Sequence, residues 1–553
     1  MKLMMNKTNK ISNKIAILLF LVFFLVGLFT FKDYGAWVDE EFQRSSGLHW
    51  LNYILNFLPF ENFKNEVILA ISQPASSFTL PSVELNRFYS MLFDLPAAFL
   101  EIAFNIQDPK NYYHLRHFLN FLFFFIASIF FFKLLLNRFS NVYTSIIGTL
   151  FFVLSPRIYG SSFYNNKDIL FLTFLTVALY FCFKVFDKFN SKNLLVFFFF
   201  AALLTCSRIL GIFLPIFFLI FYVFSVLSKK RNLDKFLLIF ICCVFYFLVI
   251  IAFWPALWED PINNFVLGWE YFSNFNLNVK MLFAGEYVSL YFLPNYYIFT
   301  WIFITTPVLY TLLFIFGYYK VFSRFFLRFI NIKENKVYDD FWRSNNEKKD
   351  LFILFNITAI VLFLITFNVP IYNGWRHIYF LNIFIIYLST VGFYQLGIYL
   401  KRNYKKSFHY HISIIFLITV IYKMMIYHPF QSIYFNNYLN EISHLNFEID
   451  HGGLSGKRSL EKILSLEKNK KTINIGVASW LPLERSAYLL DSSERKRIEV
   501  VGRNYQEADY LFTNFISEVD KKFNKKYKIP SNFTKIDEFF LDGIKVYEIY
   551  KKN

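Results

Sequence analysis

The stretch NKIAILLFLVFFLVGLFTFKDYGAWVDEEF, Asn13 to Phe42, decides how the rest of the chain is read. Its first part is an apolar run, 15–31, close to the roughly 20 residues a helix needs to cross a bilayer. Within ten residues of its end come Asp39, Glu40 and Glu41. Acids at a membrane exit are commonly solvated loop residues. Here they lie among Tyr34, Trp37 and Phe42. That setting suits a partly buried pocket, which would raise a carboxylate's pKa and make it a useful base. The basic residues ahead of the run, Lys2, Lys7, Lys10 and Lys14, would also fit a signal peptide. No A-x-A cleavage site follows, so the run is read as an uncleaved first transmembrane helix.

The rest of the sequence repeats the apolar theme. The chain has 553 residues, 56% of them hydrophobic and 78 of them Phe, with a mean hydropathy of +0.40. A soluble core cannot bury that much apolar surface, so the fold class is a polytopic α-helical membrane protein. Candidate spans are 15–31, 117–136, 140–155, 168–186, 193–206, 209–228, 236–254, 298–319, 351–368, 377–400 and 411–427, about eleven in all. Helices are expected because an open strand edge cannot be satisfied in lipid. The net charge of +18 collects in alternate loops: Lys133 and Arg138, Lys184, Lys188 and Lys192, SKKRNLDK at 228–235, the YYKVFSRFFLRFINIKENK loop, and KRNYKK at 401–406. By the positive-inside rule these loops and the N-terminus are cytoplasmic, and an odd span count puts everything after about residue 428 outside. No basic patch with a binding fold appears, so nucleic acid is not an expected partner.

Two domains follow: a transmembrane part, 1–427, and an extracytoplasmic tail, 428–553. The first outer loop, 32–116, holds amphipathic stretches such as LHWLNYILNFLPF and FYSMLFDLPAAFLEIAF that suit the membrane surface. A second large outer loop covers 255–297. The tail alternates β-rich runs at 472–479, 497–502, 508–515 and 543–550 with helix-like pieces, SLEKILSLEK and LERSAYLLD, the pattern of a small α/β domain.

Chemistry-bearing residues gather on the same outer side. Asp168 opens the fourth span, where an acid also complements a helix dipole. Arg157, Tyr164, Asn165, Asn166 and Lys167 precede it in what reads as a compact polar loop. NVPIYNGWRHIYFL sets Tyr372, Arg376 and His377 at the mouth of the tenth span, and Arg208 lies at another outer turn. Outer arginines run against the loop-charge bias. They either snorkel to lipid phosphates or hold the phosphate of a substrate, which suits the guanidinium fork. Carboxylates together with arginines are what transfer from a phosphate-linked donor requires: one group takes a proton from an attacking hydroxyl, the others stabilise the departing phosphate. Cys182, Cys206, Cys242 and Cys243 lack ligand-like spacing, so neither a disulfide framework nor a zinc site is expected. His114 and His117, three residues apart, are more readily an interfacial pair than metal ligands with Asp39. No residue is therefore assigned to a metal, although a divalent ion stays open as a cofactor. DHGGLSGK lacks phosphate-loop spacing and reads as a turn before a helix.

With these residues in view, the chain resembles the GT-C membrane glycosyltransferases, in particular the protein O-mannosyltransferase and lipid A aminoarabinose transferase group. The resemblance rests on VDE after the first span, SPRIYGSSFYNNKD before the fourth, SRILGI near the sixth, YNGWRHIYF at the tenth, HPFQSIYFNNYL after the last, and FEIDHGGLSGKRSLEKIL opening the tail. It implies an inverting transferase in a bacterial inner membrane. The donor would be a polyprenyl-phosphate sugar and the acceptor a lipid, glycan or protein. By it, Asp39 is the general base, Glu40 orients it, and Asp168 is a second acid for acceptor or metal. Lys167, Arg208 and Arg376 would contact the donor phosphate by position, beside Tyr372 and His377. The tail departs from the eukaryotic mannosyltransferases, which weakens a protein acceptor. A transporter or flippase of a lipid-linked precursor is the alternative, but it would place ionisable residues deep in its spans, where this sequence has few. A scaffold with a partner-binding tail would leave Asp39, Asp168 and Arg376 without a role.

Overall fold

The computed structural model describes residues 2–72, 87–229, 235–273, 279–330, 341–405, 408–436 and 443–553. Parts of three basic loops, 230–234, 331–340 and 406–407, lie outside the described residues, as do 73–86 of the first loop and 437–442 at the start of the tail.

Among the described residues, eight helices are long and apolar enough to cross a bilayer: Asn13–Thr30, Pro109–Phe139, Asn166–Asp187, Ile209–Val226, Phe236–Phe253, Asn345–Thr366, Leu381–Tyr404 and His409–Ile426. The chain is a multi-pass membrane protein. Three of the eleven expected spans take other forms. The 140–155 span ends at Val153, and the chain restarts as a helix at Pro156, bent by 63°; proline has no N–H to continue the ladder. The 193–206 span is a 17-residue helix, Ser191–Ser207. The 298–319 span is cut at Pro307 into Tyr297–Thr305 and Val308–Ile330.

The compact polar loop expected at 157–167 is instead the helix Pro156–Tyr164, buried at every position, followed by the first turn of Asn166–Asp187. Periodicity over nine residues was too short to show it. Asn165 then ends one helix and caps the next, accepting from Asp168 N.

Two helices sit innermost. Asn166–Asp187 buries 78% of its apolar window and Leu381–Tyr404 67%, against 11% for Asn13–Thr30, so the polar groups at their ends are held by packed rather than lipid-facing scaffold. Leu381–Tyr404 also meets Val308–Ile330 at backbone distance. A Cβ on Gly317 would lie 1.9 Å from Leu388 O, and one on Gly392 2.2 Å from Leu313 O, the small-residue contact typical of membrane helix pairs. Outward-facing residues such as Phe240, Phe247, Leu248 and Ile415 stay exposed, as lipid-facing positions should.

The first loop forms the helices Glu40–Leu55, Glu61–Ser72 and Asp94–Ala103; Leu69 and Phe99 on them, and Phe57 and Phe60 in the turn between the first two, are exposed. The second loop carries the helix Pro261–Ser273 and a hairpin, β1 (Lys280–Phe283) and β2 (Glu286–Ser289). The tail holds a sheet of β3 (Ile473–Val477), β4 (Ile498–Gly502), β5 (Tyr510–Thr513), β6 (Phe533–Leu541) and β7 (Ile544–Lys552), in the order β4-β3-β5-β7-β6. β3 is parallel to β4 and β5, while β7 is antiparallel to β5 and β6. The four expected strands are present, and β6 is an addition. Of the expected helices, Ser455–Leu466 forms, whereas LERSAYLLD yields only the short turn of helix Glu484–Ala487.

The tail is tied to the transmembrane part. Val38 N donates to Gly452 O (3.0 Å), Arg485 Nε donates to Glu41 Oε2 (2.8 Å), and Phe283 of the hairpin bridges to Phe447.

Candidate functional site

Asp39 sits at the N-terminus of the Glu40–Leu55 helix without using its side chain as a cap. The carboxylate is therefore free for another partner, and Arg376 Nη1 donates to its Oδ2 at 2.8 Å. Arg376 is supplied from 337 residues away, by the short 3-10 turn ahead of the Leu381–Tyr404 helix. Arg376 is 6% exposed and Asp39 32%, so the acid remains reachable beside a buried cation.

The acidic triplet separates by role. Glu40 is buried; its Oε2 accepts from Trp37 N (2.7 Å) and faces His117 Nε2 (3.2 Å). Glu41 takes Arg485 of the tail. Glu40 and Glu41 thus fix the loop that presents Asp39.

The aromatic residues of the loop pack in register with the polar ones. Trp37 stacks on Tyr164 (4.9 Å, 13°), and His451 of the tail meets it edge-on (5.1 Å, 89°). The Arg376 guanidinium lies 5.6 Å from the Trp37 ring and 5.2 Å from that of Tyr372. Tyr372 in turn packs against His377 at 4.3 Å. Lys167 projects over Phe42 (4.9 Å) and Tyr89 (4.3 Å). Asp168 pairs with Arg208 and accepts from Asn165 Nδ2 (2.7 Å). Asp39, Glu40, Lys167, Asp168, Arg208, Tyr372, Arg376 and His377 thus lie around this end of the bundle.

The electrostatics correct one expectation. Burial alone would raise Asp39, but the charges of Arg376 and Lys167, and the hydrogen bond from Arg376, outweigh it and hold the carboxyl well below its usual range. Cationic surroundings give the opposite shift from the apolar setting the sequence implied. The His377 imidazole is pushed down by burial and then by Arg376 and Arg208, so it is neutral.

The site also holds hydrogen-bonding atoms with nothing to bond. Among the described residues, Trp37 Nε1, Arg157 Nη2, Arg208 Nε, Arg376 Nε and His451 Nε2 are buried without a partner. Such atoms are rare in finished structures, and each costs about 1–3 kcal/mol. Arg157 is 2% exposed; its Nε donates to Tyr434 O (2.9 Å), and its guanidinium lies against Phe435 (4.6 Å) and Trp301 (5.3 Å). It has no ion pair among the described residues. A cluster of unspent donors this dense is suited to an oxygen-rich, anionic ligand.

Sequence reasoning missed the tail's share. Glu448 is buried beneath the hairpin, and its carboxyl is pushed up to about 8 by burial, only partly offset by Arg376. His451 belongs to the same segment. FEIDHGG carries both, but nothing local in that string says it reaches Trp37. The His114, His117 and Asp39 grouping does not form. His117 instead faces Glu40 and Phe31 O, and no set of three metal-binding side chains occurs among the described residues.

The fold is a polytopic helical membrane protein with a C-terminal sheet domain and one polar, cation-rich centre at the tail-side end of the bundle. Residues 96–258 match the dolichyl-phosphate-mannose-protein mannosyltransferase family, a segment that includes Lys167, Asp168 and Arg208. No curated protein sequence matches the chain. Among solved structures, the chain is similar to ArnT from Cupriavidus metallidurans bound to undecaprenyl phosphate, at 10% identity and a TM-score of 0.45, covering 96% of this chain and 97% of that one. It is also similar to the Archaeoglobus fulgidus oligosaccharyltransferase tethered to an acceptor peptide containing the NVT sequon, at 12% identity and a TM-score of 0.47, covering 89% and 64%.

Proposed function

We propose that this protein transfers a sugar from a polyprenyl-phosphate donor to an acceptor hydroxyl, with inversion at the anomeric carbon. The observation that carries the reading is the meeting of Asp39, reachable and ionised, with Arg376 inside a ring of unsatisfied donors. The match of residues 96–258 to a family named for a lipid-phosphate sugar donor supports it.

In this reading the donor phosphate binds the guanidinium edges left unbonded. Arg376 offers Nε while Nη1 stays on Asp39, and Arg157 and Arg208 offer their free edges. Lys167 adds charge without a directed bond. The acceptor hydroxyl oxygen attacks the anomeric carbon from the side opposite the phosphate. The bond from that carbon to the phosphate oxygen breaks, and its electron pair leaves with the polyprenyl phosphate. The hydroxyl proton passes to the Asp39 carboxylate. The negative charge of the bound phosphate offsets part of the cationic field that depresses Asp39, so the carboxylate becomes a better base. Glu40 positions the loop, Asp168 holds Arg208, and Tyr372 and His377 pack beneath Arg376.

The same reading puts the site on the non-cytosolic rim of the membrane of a bacterial cell, with the tail from about residue 428 outside. The acceptor is a lipid, glycan or protein hydroxyl.

A reconstituted transfer assay with a panel of polyprenyl-phosphate sugars tests this. Asp39→Asn should lower turnover by about 10²- to 10⁴-fold, and transfer at the wild-type rate would remove Asp39 as base. Arg376→Ala should act mainly on donor KM; unchanged donor dependence would take it out of the phosphate site. A cysteine placed at the exposed Ser493 should label from outside intact cells, and labelling only after permeabilisation would invert the topology.

A further inference from the structure

The tail contributes more than cover. His451 is 4% exposed, and its surroundings hold it still. On one side Asp450 accepts from Leu454 N (3.0 Å) and Ser455 N (2.9 Å), and its carbonyl accepts from Asn514 Nδ2 (2.9 Å). On the other side Gly452 O takes Val38 N. A Cβ on Gly452 would fall 1.8 Å from the Trp37 ring, so only glycine lets the chain lie that close. The backbone flanking His451 is thus pinned from both sides, and its ring stands edge-on against Trp37.

Despite this anchoring, Nε2 of His451 has no partner among the described residues, and neither does Nε1 of the Trp37 it touches. A side chain fixed so thoroughly, with a buried polar atom unspent, is preorganised for something not yet present. Burial lowers the imidazole, and the nearby charges of Arg376 and Arg157 lower it further, against the opposing effect of Asp39. The ring is therefore uncharged, a poor match for phosphate beside so many arginines but a good match for a neutral hydroxyl.

We propose that His451, brought in by the tail, is a positioning residue that binds a hydroxyl of the transferred sugar through Nε2, with Trp37 Nε1 as a second donor to the same ring. This rests on the transferase reading above. It gives the tail a share in sugar specificity: cations fix the phosphate from the transmembrane part, and the tail reads the polyol.

The test compares wild type, His451→Ala and His451→Gln in the reconstituted assay, because a glutamine amide can reach the Nε2 position. For a donor carrying the recognised hydroxyl, His451→Ala should raise donor KM about tenfold with little change in kcat, and His451→Gln should restore most of it. Among singly deoxygenated donors, one should be used equally by wild type and His451→Ala. The proposal is overturned if His451→Ala leaves KM unchanged for every donor, or if Ala and Gln are equally impaired with all deoxy donors, which would mark a purely structural role. A wild type that transfers from no donor in the panel would sink the transferase reading and this proposal together; an active wild type with an indifferent His451→Ala sinks only the proposal.

Discussion

The Pro109–Phe139 helix touches two polar centres, and they are built on opposite terms. Near its C-terminus Arg138 makes a two-pronged pair with Asp350 (2.6 and 2.7 Å), which also receives Tyr387 Oη (2.9 Å) and Arg324 (3.2 Å). Lys349 pairs with Asp187 close by (2.6 Å). Asp350 is fully buried, and none of these six side chains leaves a buried atom unbonded; at the edge of the network Asn137, which donates to Asp187, keeps one orphaned oxygen. Near the N-terminus, about 30 Å away by helix rise, the Asp39 centre is also buried and charged, yet five of its side chains keep orphaned atoms. Burial and charge are common to both. Satisfaction separates them: a closed network clamps helices together, whereas an open one stores capacity for a ligand. Transport would call for charge in the path between these ends; the charge lies at the ends themselves.

The sharpest way to break the comparison is Asp350→Ala. It leaves two arginines facing an empty buried position and should cost about 3–5 kcal/mol, read as a large drop in the unfolding midpoint in detergent. A loss below about 1 kcal/mol would show that water already solvates that end. Arg157→Met should do the reverse. Replacing an unpaired buried cation by an apolar chain of similar volume should leave stability unchanged or raise it by about 1–4 kcal/mol, while donor KM rises. Destabilisation together with normal donor use would make Arg157 structural.

The pH-dependent effect concerns Glu448. Its folded value lies near 8 against an ordinary 4.5, so the native state holds a proton that the unfolded chain releases. Stability from this group is complete below about pH 4.5 and is lost as pH rises toward 8. Glu448→Gln cannot ionise, so its unfolding midpoint should fall less between pH 5 and 8 than that of wild type. Parallel pH curves would mean that Glu448 is ionised in the folded protein.

The residues that were legible owed it to their type and local setting. Asp39, Asp168, Arg208 and Arg376 stood out as charges beside apolar runs, and each takes its place in the centre. The pairing of Asp39 with Arg376 was not legible: no pattern links residues 337 apart, and the acid's pKa moves down only because that partner arrives. Pro156–Tyr164 looked like a loop because its polar residues face protein rather than water. Glu448, His451 and Arg485 were passed over because a tail residue gains meaning only from what it packs against.

Hydropathy and loop charge are summed over neighbouring residues, so the sequence alone settled that the chain is a helical membrane protein with a strand-rich tail. Which side chains face one another depends on helix packing and on where the tail docks. Both are decided by contacts hundreds of residues apart, such as Val38 N to Gly452 O and the glycine-mediated approach of Val308–Ile330 to Leu381–Tyr404. Only the folded molecule could turn scattered charges into a centre with bonds still to make.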